Sequence, residues 1–512
     1  MSKKSFYVTT PIYYVNDVPH IGHAYTTLAC DMMARFYRQK DYYVAFLTGT
    51  DEHGQKIQKT AEQRGLSPKD LVDDVSKSFQ HLFESMNISH TLFARTTSAQ
   101  HYDVVKWMWN RLMDNGDIYL GSYSGWYAVR DEAFYSEEEI VDGKAPTGSP
   151  VEYVTEPSYF FKLSKWQQPL LDFYEKHPDF IAPESRRNEV ISFVKGGLRD
   201  LSISRTSVTW GVPVPKDEKH TMYVWLDALN IYISQLGFTC NNDGSIAQKD
   251  DFWKNAWDNS LHIIGKDILR FHAVYWPAFL LAAELNPPKR IFAHGWWTKD
   301  GQKMSKSIGN VVDPVALTQQ YGNDAFRYFL LREVPFGNDG DFSETAFQGR
   351  INGDLANTYG NLVQRTLAFV FKQCEGKIPN PSNLTQEDEE LLTLPHTLLK
   401  TMEEFMERQA LHRVIETVWE GLFAGNRYMD TQKPWSLKKE DPKRMETILY
   451  VLCEFIRKMA ILSSSIIPEL SSKILDQLGV ASNDRMFMHL DHVITPLSTI
   501  MEPTPLVKKV ES

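Results

Sequence analysis

The sequence predicts an α/β protein: a parallel sheet flanked by helices, interrupted by a β-rich insert and followed by an all-helical domain. Three observations predict it. The first hundred residues alternate short apolar runs with helical patterns, near Gly116 the texture turns rich in Gly, Ser, Tyr and acids, and from about Phe342 onward a 3.6-residue period dominates. A chain of 512 residues is too long for one core, so about three domains are expected.

The elements follow in order. SFYVTT at 5–10 is aromatic and β-branched, as a short buried strand requires. A turn-rich segment leads to IGHAYTTLACDMMARFYRQK at 21–40, whose apolar residues recur at helical spacing. YYVAFLTGT at 42–50 reads as a second strand, closed by Thr50-Asp51-Glu52-His53-Gly54. A helix then passes Ile57 and Ala61 to stop at Gly65, and Ser67-Pro68 opens another. Strand, helix, strand, helix is the order of a parallel sheet, whose ligands gather at the carboxyl ends of its strands. Both PIYYVNDVPHIGH and TGTDEHG lie at such ends.

The insert is expected over 117–215, antiparallel in character and bounded by WGVPVP at 210–215. The parallel grammar resumes over 216–294, where LHIIGKDILRFHAVYWPAFLLAAEL runs from strand into helix and KRIFAHGWW holds another strand. A loop region over 295–345 and a helical domain over 346–512 complete the expected organisation.

Composition excludes several classes. No apolar run reaches the roughly 18 residues of a membrane span, and MSKKSFYVTT lacks the apolar stretch of a signal peptide. Cytoplasm is the expected compartment. Cys30, Cys240, Cys374 and Cys453 have no close neighbours, which argues against a disulfide framework or a zinc ribbon. A net charge of −10 argues against broad non-specific nucleic-acid binding but leaves a local basic face open.

Two segments point to a triphosphate. His20-Ile21-Gly22-His23 stands at the mouth of the first helix, where unpaired N–H groups suit an anion, and imidazoles can donate to a phosphate as its charge grows. Gly22 lets a flat ring approach the backbone. HGWWTKDGQKMSKSIGN at 294–310 places Lys303, Ser305, Lys306 and Ser307 between Gly301 and Gly309, as in a mobile phosphate-gripping loop. Alone, a helix cap or a solvated lysine loop is the commoner meaning of each; together, downstream of one another in a split α/β chain, they support one site.

HIGH at 20–23 and KMSKS at 303–307 resemble the two signatures of class I aminoacyl-tRNA synthetases. TTPIYYVNDVPHIGHAY, FLTGTDEHG, YVWLDAL, IIGKDILRFHAVYWPA and AHGWW narrow the resemblance to the methionyl-tRNA synthetase family. It implies a Rossmann-type catalytic sheet split by a connective domain, a stem-contact region after the lysine loop, and an anticodon-binding helical bundle. The implied reaction is attack of the methionine carboxylate on ATP, with magnesium carried by the nucleotide, followed by transfer of methionine to tRNA(Met), initiator and elongator.

The resemblance also assigns residues. His20 and His23 face the α-phosphate; Lys303, Ser305 and Lys306 hold the pyrophosphate end; Gly22, Gly265, Asp267 and His294 surround the adenosine. Asp51 binds the methionine ammonium, and Ile12, Tyr14, Trp225, Ala228, Tyr232, Ile268 and His272 line the side-chain slot. The spacings of Trp225, Ala228 and Tyr232, and of Ile268 and His272, place each set on one helical face. Asn361, Arg365 and Trp435 are the implied readers of the anticodon, since an indole stacks on bases while amide and guanidinium groups reach base edges.

The chain departs from the family at the insert. Where relatives carry Cys-X-X-Cys knuckles, Ala128 and Asp131 stand here, and GKAPTGSP replaces the second pair. Zinc needs about four close ligands, so no structural zinc is expected and aromatic packing of Trp126, Tyr127, Phe134 and Tyr135 is expected instead. A C-terminal dimerising module has no room, so a monomer is expected. A slot that separates one methylene only about 10–200-fold is expected to activate homocysteine and release it by cyclisation. A shorter HxGH nucleotidyltransferase, or a tRNA-binding relative without catalysis, would lack respectively the helical tail or the intact His and Lys sets.

Overall fold

The computed structural model describes residues 3–15, 19–131, 133–240, 246–248, 255–304 and 310–510. Its centre is a parallel sheet of seven strands: β1 (Ser5–Thr9), β2 (Tyr13–Tyr14), β3 (Tyr43–Asp51), β4 (Leu92–Arg95), β5 (Ile181–Ala182), β6 (Ser260–Gly265) and β7 (Arg290–His294). The order is β2-β3-β1-β6-β7-β5, with β4 also on β3. From β1 the chain goes to β3 on one side and later to β6 and β7 on the other, so a crevice opens above the β1–β6 boundary, where such sheets bind ligands.

Helix α1 (Ile21–Gln39) starts over that crevice. Ala24, Leu28, Met32 and Phe36 recur every four residues, Tyr25 stands three before Leu28, and all are buried. The helix is fixed at its far end by charge. Asp31 pairs with Arg327 at 2.7 Å, both side chains almost fully buried, and with Arg35 at 2.7 Å. Burial would raise the Asp31 pKa, but Arg327 and Arg35 bring it down to about 2. Because Arg327 also donates to the carbonyls of Ser465 and Ile466, α1 is tied to the C-terminal helices.

The β-rich insert is present but is not one block over 117–215. Ile118–Ala128 pairs antiparallel with Glu152–Phe161, with Ala133–Tyr135 and Leu201–Ser202 on the flanks. Between them the chain returns to the catalytic sheet: helices Gln167–Lys176 and Glu184–Lys195 bracket β5, a parallel partner of β7. Two residues of strand carry too little alternation to be read from sequence.

The helical region is built from Gln386–Glu407, Leu411–Gln432, Pro442–Ser463 and Pro468–Gln477. Helix does not persist to the end, as the sequence pattern suggested. Pro496, Pro503 and Pro505 lack the N–H a helix needs. Residues 492–510 instead run as a non-helical strap: Leu497 N–H donates to Ile378 O, and Asn352 exchanges hydrogen bonds with the Val510 backbone. Among the described residues no helix is long and apolar enough to cross a membrane.

Candidate active site

The first turn of α1 is capped by its own histidines. The backbone N–H of Gly22 donates to His20 Nδ1 at 3.1 Å, and that of His20 donates to His23 Nδ1 at 3.1 Å. The two rings stack with centroids 3.8 Å apart. An Nδ1 that accepts a backbone hydrogen bond leaves the proton of a neutral imidazole on Nε2. Burial, and then the neighbouring His20, hold the His23 pKa well below the usual histidine range, so its ring is neutral. Gly22 serves the cap as well as any ligand: a Cβ there would lie 2.9 Å from Cε1 of His20. Tyr13, absent from the sequence assignment, packs edge-on against His23 and donates to its carbonyl at 3.2 Å.

The neighbouring strand ends bring further predicted residues to this mouth. Gly265 and His294 are register partners at the ends of β6 and β7. His294 is tied to α1 through Thr26 Oγ1 at 2.7 Å, a contact across 268 residues that no local signal announces. Asp267 lies on the exposed turn after β6, and the Trp296 indole donates to it at 3.1 Å. A Cβ on Gly265 would stand 2.5 Å from Asp267 Oδ1, so the glycine makes room for this carboxylate. Asp267's charge acts on both His272 and His294, as expected of a group between them.

On the other side of β1, Asp51 ends β3 and is buried, opposite Tyr14 in the β2 register. Burial raises the Tyr232 hydroxyl pKa, and the charge of Asp51 adds to the rise. Tyr232 OH and His272 Nε2 are 2.8 Å apart, while His272 Nδ1 lies 3.0 Å from the Ile268 carbonyl. The carbonyl can only accept, so the His272 proton sits on Nδ1 and Tyr232 donates to Nε2. Burial lowers the His272 pKa to about 4, which keeps this ring neutral too. Ala228 is buried on Val224–Leu229, and Ile12, Tyr14, Trp225 and Ile268 are partly buried. The helix carrying Trp225 breaks at Asn230, so Tyr232 sits on a second short helix, Ile231–Ser234. Trp225 stacks face to face on Phe271 at 3.7 Å, a residue the sequence assignment omitted.

Behind the slot lies a buried network that spacing could not show. Asp227 Oδ2 accepts from His53 Nδ1 at 2.6 Å and Oδ1 from His101 Nε2 at 2.7 Å. His101 continues to Ser234 at 3.0 Å, and His53 to the Tyr102 hydroxyl at 3.0 Å. Burial would raise Asp227, but the two imidazoles pull its pKa down to about 2. The network joins the TDEHG turn to both short helices of the slot.

Of the lysine loop, Ser305 and Lys306 lie outside the described residues, as does the side chain of Lys303; the Lys303 backbone ends a short strand paired with Trp297–Lys299. In the helical region Arg365 lies over the Trp435 ring at 5.5 Å and pairs with Asp430 at 2.9 Å. Trp435 is 45% exposed, so its ring is open to a partner. Asn361 is exposed one turn before Arg365 on Asn361–Gln373. At the insert, Asp131 is held by the hydroxyls of Ser149 at 2.7 Å, Tyr135 at 3.1 Å and Thr147.

A parallel sheet with a capped His-Ile-Gly-His helix over its switch point, joined to a helical bundle bearing a guanidinium–indole pair, agrees with the resemblance to class I aminoacyl-tRNA synthetases. Comparison with known proteins carries this further. Residues 6–152 and 147–367 match the family described as tRNA synthetases class I (M), and residues 378–511 match the anticodon binding domain of methionyl tRNA ligase. A methionine–tRNA ligase from Rickettsia felis is 52% identical, covering 99% of both chains; one from Brucella suis is 49% identical, covering 97% of this chain and 96% of its own. The solved Mycobacterium tuberculosis methionyl-tRNA synthetase in complex with methionyl-adenylate superposes with TM-score 0.94 at 49% identity, over 98% of this chain and 99% of that one. The chain belongs to the methionine–tRNA ligase family: it is an ATP-dependent ligase that activates methionine and charges tRNA.

Proposed function

We propose that the two ends of the crevice divide the work of adenylate formation. The methionine ammonium binds Asp51, and its thioether enters the slot of Ile12, Tyr14, Trp225, Ala228, Tyr232, Ile268 and His272. ATP enters as its magnesium complex, the ion held mainly by the phosphates. Gly265, Asp267 and His294 surround the adenosine, Asp267 accepting from the ribose hydroxyls. The methionine carboxylate then attacks the α-phosphorus in line with the leaving pyrophosphate.

In that step negative charge builds on the phosphate oxygens. His20 and His23 present Nε2–H donors to them, and His23, held neutral by burial, neither titrates nor competes for the proton near pH 7. Lys303, Ser305 and Lys306 neutralise the departing pyrophosphate. No covalent nucleophile is needed, because positioning and charge stabilisation suffice. The observation that carries this reading is the cap itself: both Nδ1 atoms accept from the backbone, which leaves the proton of each neutral ring on Nε2.

We infer further that Asn361, Arg365 and Trp435 read the anticodon of initiator and elongator tRNA(Met), with the chain acting as a cytoplasmic monomer. At the insert the hydroxyl ring around Asp131 takes the structural place of a zinc knuckle; stoichiometric zinc in chelator-washed protein would contradict this. Methionine-dependent ATP–pyrophosphate exchange tests the whole assignment. Leucine or cysteine driving exchange faster than methionine would refute the slot, and homocysteine should be activated and released as thiolactone.

A further inference from the structure

A second cationic cleft lies at the opposite end of α1, between the catalytic sheet and the C-terminal helices. It encloses about 270 Å³ and is lined by Arg35, Arg38 and Gln39 of α1 and by Ser472, Leu475 and Arg485 of the helical region. His20 and Arg38 are 18 residues apart on one straight helix, hence about 27 Å at 1.5 Å per residue. The cleft is therefore separate from the triphosphate site.

Its charge is unbalanced. Arg485 pairs with Asp476 at 2.6 Å, and Arg35 with Asp31 at 2.7 Å, but Asp31 is shared with the buried Arg327. Arg38 donates only to the hydroxyl and carbonyl of Ser89, and among the described residues no carboxylate lies within 4 Å of it. Burial desolvates its guanidinium, and the charge of Asp31 acts on it more strongly than the repulsion of Arg35, so the anion nearest to it is one already shared by Arg35 and Arg327. The arginines are substantially enclosed, Arg35 being 21% and Arg485 17% exposed, so a bound anion would be screened less than at an open surface. A second orphan adjoins them: Gln39 donates through Nε2 to Ser464 at 2.9 Å, while its buried Oε1 has no donor.

We propose that this cleft binds a small phosphate monoester, its phosphate held by the Arg35, Arg38 and Arg485 guanidiniums and a hydroxyl supplied to the Gln39 carbonyl. Forked guanidinium donors match phosphate oxygens, and a ligand carrying both groups satisfies both orphans. Since the walls come from α1 and from the helical region, occupancy would couple the catalytic helix to the anticodon half.

Ribose 5-phosphate and inorganic phosphate are the probes. Isothermal titration on the full chain, with its catalytic site filled by methionine and a non-hydrolysable ATP analogue, should find one remaining site, tighter for ribose 5-phosphate. Ser472→Asp, an exposed substitution that adds negative charge to the wall, and Arg485→Gln should each weaken it at least tenfold while pyrophosphate exchange is unchanged. No binding at millimolar probe, or binding indifferent to both substitutions, overturns the inference. So does loss of tRNA affinity in these variants without probe binding, which would make the cleft a contact for a nucleic-acid backbone.

Discussion

The two ends of the crevice use histidine in opposite ways. At the phosphate end, His20 and His23 accept at Nδ1 from backbone N–H groups, so each Nε2–H is available to charge that develops during reaction. At the methionine end, His272 donates from Nδ1 to the Ile268 carbonyl and accepts from Tyr232, so the ring closes the slot and offers it no charge. In the proposed reading, one end stabilises a transition state and the other recognises an uncharged thioether. The same side chain does either job, because the partner of Nδ1 decides which proton is presented.

That contrast is open to breaking. His23→Ala should lower kcat of pyrophosphate exchange by about 10²–10³-fold with the methionine KM little changed, because a lost oxyanion donor acts on the transition state. A matching rise in KM would erase the division. Asp51→Asn should do the reverse, raising the methionine KM by roughly 30–150-fold, the worth of about 2–3 kcal/mol for a hydrogen bond to a charged group.

Asp227→Asn sharpens the distinction between contact and support. Asp227 touches no substrate in this account, so we expect a tenfold-scale rise in methionine KM together with lost stability, about 2–3 kcal/mol from a pKa near 2 against the ordinary carboxylate value. The sign follows from the depressed pKa: the stabilisation is complete above about pH 4 and is lost as pH falls toward 2. Thermal melts at pH 7 and pH 3 should therefore show the variant's deficit shrinking in acid; a pH-independent deficit would point to packing alone. The smallest effect is expected far from the crevice. Trp435→Ala should weaken tRNA charging through KM by about tenfold, consistent with about 1–3 kcal/mol for a stacked base, and leave pyrophosphate exchange untouched.

What could be read in the sequence tracks the range of the contacts. The cap involves residues two and three apart, so HIGH at 20–23 announces itself. The alternation of strands and helices is equally local, and so is the texture of the β insert. Thr26 with His294 is separated by 268 positions, and His53 with Asp227 by 174; neither leaves a local pattern. Phe271 was missed because a ring stacked on Trp225 looks, in sequence, like any core aromatic. The two-residue β5 strand escapes sequence reading because periodicity needs length, and the strap over 492–510 departs from helix because Pro496, Pro503 and Pro505 cannot donate the backbone bonds a helix needs. Spacing nonetheless placed Ile268 and His272 together, since a turn of helix is itself a short-range contact.

The central claim is that His23 meets the α-phosphate as a neutral ring with its proton on Nε2. Two-bond proton–nitrogen correlation spectra of protein labelled with ¹⁵N-histidine, recorded between pH 5.5 and 8, observe this directly. We predict for His23 the Nε2–H tautomer throughout, with no titration near the ordinary histidine pKa of about 6.5. An Nδ1–H tautomer, or a His23 that becomes cationic near pH 6.5, would contradict the account.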